Sequence, residues 1–259
     1  MIAEIIMDII RSCVLLATLI GAIQMSRKRK FVPCMVLFAL AVASLLLSEI
    51  YWLIYDILRP ETRMPFAANE VAEWAMFLLL GVSIGAELLL PVHEAYVEII
   101  CCILFAAANT ALWIGWSGEW AQDILTGMCF AYLLCMIFLR IRREGVLTAS
   151  REKLLGITCI VLLAGQTATF FVPERIRKMI DLGCYVLLFT IAVMLMAVAV
   201  YALFKRTKQE ALCCAYIAYA WVVTTMYMSS EGFYIAALAM SACCFPLMLF
   251  AWKREVDEA

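Results

Sequence analysis

Apolar segments of roughly twenty residues follow one another along almost the whole chain, with short polar connections between them. A segment of that length lets an α-helix cross the hydrocarbon core of a bilayer, because each residue advances the helix by about 1.5 Å and the core is about 30 Å thick. Apolar residues make up 66% of the 259 positions, against roughly 45–50% in soluble domains. The pattern therefore predicts an all-α, polytopic transmembrane helix bundle.

We expect about nine spans, with eight as the alternative count, in a single integral membrane domain over residues 1–259 without a soluble domain. The predicted spans are residues 2–25, 31–58, 71–90, 94–116, 121–141, 153–173, 178–204, 209–229 and 232–252. The connections are too short to fold as an attached kinase, cyclase or nucleotide-binding domain. Whatever the chain does by itself is therefore expected to happen in or at the membrane.

Lysine and arginine are divided unevenly between the two sets of span ends. Fourteen lie at the ends that the nine-span pattern places on one side, and five lie at the opposite ends. Because cytoplasmic ends carry the excess of basic residues, the first set is predicted to face the cytoplasm. The N-terminus is then outside and the C-terminus cytoplasmic, in a cell membrane that we expect to be a bacterial inner membrane.

The net charge of the chain bears on the partners that it can bind. The formal net charge of −1 does not favour nucleic acid. The expected partners are the lipid bilayer and a separate membrane or cytoplasmic protein.

The densest mixture of opposite charges surrounds the predicted turn between the second and third spans. Glu49 is the deepest of these groups, about two and a half helical turns below that turn. A charge at such depth is costly unless it is paired or hydrated, so Glu49 should face a basic partner, a polar partner or water. We predict a ligand-binding or ion-binding outer cluster, which consists of Arg11, Glu49, Trp52, Asp56, Arg59, Arg63, Glu70 and Glu73.

A second polar cluster is predicted at the opposite, inner end of the third span. It consists of Glu87, His93, Glu94 and Glu98. His93 is the only histidine and titrates near neutrality in its ordinary state, so it can relay protons with these carboxylates. A solvated turn residue is the favoured interpretation of His93, with the proton relay as the alternative.

Cysteine usage does not favour a cofactor. All twelve cysteines lie inside predicted spans, no CxxC occurs, and one histidine is too few for the usual zinc spacings. We interpret the cysteines as small packing residues and predict no disulfide, no metal site and no cofactor. No nucleophile is spaced with an orienting partner, so no catalytic residue is predicted and a role other than catalysis is favoured.

Small residues in the third span predict close helix packing. Gly81 and Gly85 form a GxxxG pattern, which lets two helices approach closely in lipid. A contact within the bundle is favoured over dimerisation. We therefore expect the third helix to be central in the bundle.

Three hypotheses for function remain open. The first is a membrane-embedded module that binds or senses a small ligand or ion in an outward-facing charged pocket. The second is a small secondary transporter or permease subunit, for which a polar path from Glu49 to Glu87 is expected. The third is an intramembrane enzyme acting on lipids, for which a cleft should open sideways to lipid above Glu49.

The charge division predicts the topology. A reporter fused to the C-terminus should be active only in the cytoplasm, and a reporter inserted after Arg63 should behave as exported. Paired fusions of a cytoplasmically active and a periplasmically active reporter measure both positions. An exported C-terminal fusion would show that the span count is even and that the second half of the assignment is inverted.

Overall fold

The computed structural model describes residues 2–28, 33–58, 68–86, 95–117, 119–146, 149–205, 207–226 and 231–258. These residues form nine α-helices and no strands, which confirms the predicted all-α membrane bundle. The helices are α1 Ile2–Lys28, α2 Pro33–Leu58, α3 Ala68–Gly85, α4 Tyr96–Ser117, α5 Trp120–Glu144, α6 Ala149–Thr169, α7 Glu174–Lys205, α8 Lys208–Met226 and α9 Glu231–Glu258.

Several helices extend beyond the predicted spans into polar sequence. α7 begins at Glu174 rather than at residue 178, and α6 begins at Ala149 rather than at residue 153. α9 continues to Glu258. The hydropathy pattern marks the apolar stretch of a helix, whereas Glu, Lys and Arg are good helix formers that let the helix continue past it.

Six of the helices in the described part of the chain are long and apolar enough to cross a membrane, namely α1, α2, α4, α5, α7 and α9. The remaining three are shorter or begin with charged residues, such as Glu70 and Glu73 in α3. The count of nine spans and their orientation therefore remain predictions.

The helices form a ring around α8. Contacts connect α1, α2, α3, α5, α4, α6 and α7 in that order, and α9 closes the ring by packing against both α7 and α1. Every side chain from residue 211 to residue 224 of α8 is buried. α8 is apolar on all sides over this stretch and rich in Ala and Cys, so neighbours can pack against each of its faces. The central helix is thus α8, and the expectation that α3 would be central was wrong.

The small residues of α3 nevertheless make the close contact that their spacing predicts. A Cβ atom on Gly81 would lie 2.5 Å from Cε1 of Tyr132 in α5, and one on Gly85 would lie 3.0 Å from the Met136 sulfur. Hydrogen in place of a side chain at these positions lets α3 pack against α5.

The contact between α4 and α5 is tighter still. A Cβ atom on Gly127 would overlap Oγ1 of Thr110, which donates a hydrogen bond to the Ala106 carbonyl at 2.8 Å. Of the glycines in the described part of the chain, Gly127 is therefore the one at which a side chain is tolerated least.

Replacing Gly127 with Ala should lower the melting temperature in detergent, because the added methyl group must displace Thr110 or separate α4 from α5. The matched control is Gly183→Ala in α7, where no atom lies within 4 Å of the added Cβ. In that open position Ala should raise helix stability by about 1 kcal/mol. Equal melting temperatures for the two variants would contradict this close contact between α4 and α5.

Candidate functional site

A buried ion pair joins the first two helices. Nη1 of Arg11 in α1 lies 2.9 Å from Oε2 of Glu49 in α2, with side-chain exposures of 7% and 2%. Both residues lie in predominantly apolar helices that pack side by side. Two facing charges in such a helix pair can be accommodated when each neutralises the other. The pair therefore meets the sequence-based requirement that Glu49 face a basic or polar partner or water.

The third helix contributes a second carboxylate to the same place. Oγ of Ser48, the fully buried neighbour of Glu49, donates a hydrogen bond of 3.0 Å to Oε1 of Glu73. Arg11 also lies within electrostatic range of Glu73, and Glu73 within range of Glu49. We call Arg11, Ser48, Glu49 and Glu73 the buried charge cluster.

The charges of this cluster do not balance. Among the described residues that act electrostatically on Glu49 and Glu73, Arg11 is the only cation. Nε of Arg11 is buried and has no hydrogen-bond partner among the described residues. One guanidinium therefore serves two carboxyl groups in the interior of the bundle. Asp8, also buried and engaged in contacts of its own, adds a further negative group within range of Glu49.

The enclosed helix α8 borders the cluster. The hydroxyl of Tyr219 donates to the sulfur of Met76 in α3 at 3.3 Å and lies within electrostatic range of Arg11, Glu49 and Glu73. Cys244 of α9 lies within the same range of Tyr219. Four residues were not identified from the sequence as parts of this site: Ser48, Met76, Tyr219 and Cys244. Ser48 could have been identified from the sequence, because it places a hydroxyl directly before Glu49 in an otherwise apolar segment.

The other predicted members of the outer cluster lie elsewhere or outside the described residues. Glu70 accepts a hydrogen bond of 3.2 Å from Nε2 of Gln122, so its carboxylate contacts α5. Trp52 is half-buried on α2. The side chain of Asp56 and the whole of Arg59 and Arg63 lie outside the described part of the chain.

The predicted inner cluster is described only at one residue. Glu98, in the first turn of α4, forms an ion pair with Arg142 near the end of α5, and both side chains are partly exposed. Glu87, His93 and Glu94 lie outside the described residues, and so does the far end of the polar path expected for a transporter.

A separate cavity of about 430 Å³ lies between α4, α5, α6 and α8. Its walls are almost entirely apolar, with Glu98 and Glu152 at one end. None of its lining residues belongs to the buried charge cluster. It differs in position from the cleft above Glu49 that the enzyme hypothesis expected.

Comparisons with known proteins do not identify this arrangement. A scan of protein-family models, a search of curated proteins and a search of solved structures each return no match. In the described residues, no three His, Cys, Asp or Glu side chains are arranged to hold a metal ion.

Glu49→Gln should destabilise the protein by about 3–5 kcal/mol if the pair is structural, because it removes the carboxylate that lies against the buried guanidinium of Arg11. The double variant with Arg11→Gln should recover much of this loss, since neither charge then remains. Unfolding of the four proteins of the cycle in one detergent measures the coupling.

The exposed pair of Glu174 with Lys178 provides the control for this cycle. Because water already solvates both of its charges, Lys178→Gln should leave stability unchanged. Purely additive losses for Arg11→Gln and Glu49→Gln would contradict the ion pair.

Proposed function

We propose that the chain is a membrane-embedded binding and sensing module whose ligand is the proton, taken up at the buried charge cluster. The observation that carries the proposal is the sharing of one guanidinium by two carboxyl groups. Arg11 is 2.9 Å from Glu49, while Glu73 has the Ser48 hydroxyl as its hydrogen-bond donor.

A net charge buried between the helices of this bundle is costly. An ionised carboxylate transferred into a medium of low polarity is strongly destabilised unless a cation or several donors compensate it. Arg11 can compensate one of the two carboxylates. A proton shared by Glu49 and Glu73 balances these two carboxyl groups against Arg11, whereas its release adds one negative charge between α1, α2 and α3, where Asp8 is already a further acidic group.

Release of the proton would therefore change the packing of these helices. A hydrated or repelled Glu73 would move α3 relative to α2, and Met76, one turn further along α3, contacts Tyr219 of α8. α8 in turn contacts α9 through Tyr216, whose hydroxyl accepts a 3.0 Å hydrogen bond from Nε1 of Trp252. Through these contacts, a movement of α3 caused by proton release would shift α8 and then α9, toward the opposite end of the bundle.

A separate partner protein, in the membrane or the cytoplasm, would receive the change. The chain is proposed to reside in a cell membrane. In this view the buried charge cluster replaces the more open, outward-facing pocket of the initial hypothesis as the place where the ligand is bound.

The test is the pH dependence of stability in nanodiscs, between pH ~6 and ~8. Free carboxyl groups of an unfolded chain are ionised in this range, because their ordinary pKa is about 4.3. If the folded cluster holds a proton that the unfolded chain does not hold, the unfolded state binds fewer protons and stability falls as pH rises. The slope is about 1.4 kcal/mol per pH unit for each such proton.

Glu73→Gln should remove this slope, since Arg11 and Glu49 alone are neutral as an ion pair. Glu174→Gln, at an exposed position, should retain it. A parent protein whose stability is independent of pH, or a Glu73→Gln variant with the parent slope, would overturn the proposal.

A further inference from the structure

The lining of the cavity between α4, α5, α6 and α8 reaches the surface on α4 and α6, two helices that contact each other only sparsely. Three lining residues on these two helices are largely exposed: Val97 at 71%, Leu104 at 63% and Ile160 at 68%. Leu104 and Ile160 lie at mid-helix, where exposed apolar side chains of a membrane bundle face hydrocarbon rather than water. This part of the surface is therefore a lateral entrance from the bilayer.

The inner wall of the cavity is formed by the enclosed helix. Ile217, Ala220, Trp221 and Thr224 of α8 line it, although all four are buried in the bundle. A molecule that enters between α4 and α6 would therefore contact the central helix directly. A volume of about 430 Å³ lies within the roughly 300–1,000 Å³ typical of ligand pockets.

Charged side chains lie at one end of this otherwise apolar cavity. Glu98 and Glu152 lie in the first turns of α4 and α6, and both line the cavity. Arg142 forms an ion pair with Glu98 at the same end and remains about half exposed. Two carboxylates and a guanidinium therefore lie at the end of the cavity that faces the polar region of the membrane. A lipid whose acyl chain occupied the cavity would have its headgroup at this end.

We propose that this cavity binds one acyl chain of a zwitterionic phospholipid whose headgroup carries a primary amine. The acyl chain lies along the apolar wall as far as Trp221 and Thr224. The ammonium group is bound by Glu152 and Glu98, and the phosphate by Arg142. The guanidinium group of Arg142 can donate two parallel hydrogen bonds to the phosphate, which is the geometry that arginine favours with phosphate.

This site is independent of the buried charge cluster. Tyr219, which borders the cluster, and Trp221, which lines the cavity, are two positions apart on α8 and so point about 200° apart. A lipid on one face of α8 and the charge cluster on the other would act on the same helix.

The experiment uses the full chain in nanodiscs that contain phosphatidylethanolamine with a photoactivatable diazirine on the acyl chain. After irradiation, mass spectrometry measures crosslinking to the peptides of α4, α6 and α8. We expect crosslinks on the lining segments, including the buried α8 segment around Trp221. Crosslinks confined to the exposed outer surfaces of α4, α6 and α7 would overturn the proposal, because every lipid-facing helix collides with acyl chains.

Gly156 supplies a specific variant. It lines the cavity, and no atom lies within 4 Å of a Cβ built on it, so the side chain of Gly156→Phe has open space in which to begin and would occupy part of the cavity. The matched control is Gly183→Phe on exposed α7, which also has open space around its Cβ but lies outside the cavity. Crosslinking to α8 should fall about tenfold or more in Gly156→Phe, because several methylenes lose their contacts, and remain unchanged in Gly183→Phe. Equal crosslinking in both would overturn the proposal.

Native cysteines provide a second readout that does not depend on the photoprobe. Cys159 lines the cavity, whereas Cys13 and Cys243 are exposed on α1 and α9. Phosphatidylethanolamine nanodiscs should slow alkylation of Cys159 several-fold relative to phosphatidylglycerol nanodiscs, leaving Cys13 and Cys243 unaffected. Glu152→Gln should remove this difference. Protection of Cys159 that depends on protein concentration would instead identify a second copy of the chain as the occupant and overturn the lipid assignment.

Discussion

The ion pair between Arg11 and Glu49 is the interaction on which the arrangement of the first helices depends. Lipid tails are as apolar as the helix surfaces, so apolar contact alone does not select which faces of two membrane helices meet. A buried charge does select, because every orientation that turns Glu49 away from Arg11 exposes both charges to hydrocarbon. Ser48 then fixes α3 to the same point through its hydrogen bond to Glu73.

The remaining helices are arranged by close packing around α8. Gly81 and Gly127 let α3 and α4 approach α5, and α8 is buried on every side from residue 211 to residue 224. This enclosure gives α8 two different faces. One contains Tyr219 beside the buried charge cluster, and the other contains Trp221 in the wall of the lateral cavity. A change at either site therefore acts on a helix that contacts both.

Much of the fold was predictable because hydropathy reports directly on the length of membrane helices. The need of Glu49 for a polar partner also followed from its depth alone. The identity of that partner could not be predicted, because Arg11, Arg59 and Arg63 all lie near the same predicted end of the bundle. Which of them meets Glu49 depends on how α1 is rotated against α2. The central position of α8 was not predicted. The glycines of α3 can be read from a single sequence and suggested that α3 was central, whereas the enclosure of α8 by other helices depends on the three-dimensional arrangement. The lateral cavity was missed for a related reason: its lining residues, such as Leu104 and Ile160, have the same apolar character whether they face lipid or a cavity.

The central claim is that Glu49 and Glu73 together hold one proton at neutral pH because they share a single guanidinium. Infrared spectroscopy of the protein in nanodiscs measures this directly, through the C=O stretch of a protonated carboxyl group. Such a band is expected at pH ~7 in the parent and in Glu174→Gln, and its loss is expected in both Glu49→Gln and Glu73→Gln, since either substitution leaves one carboxylate for Arg11. A parent spectrum without that band, or a band that persists in both cluster variants, would contradict the account.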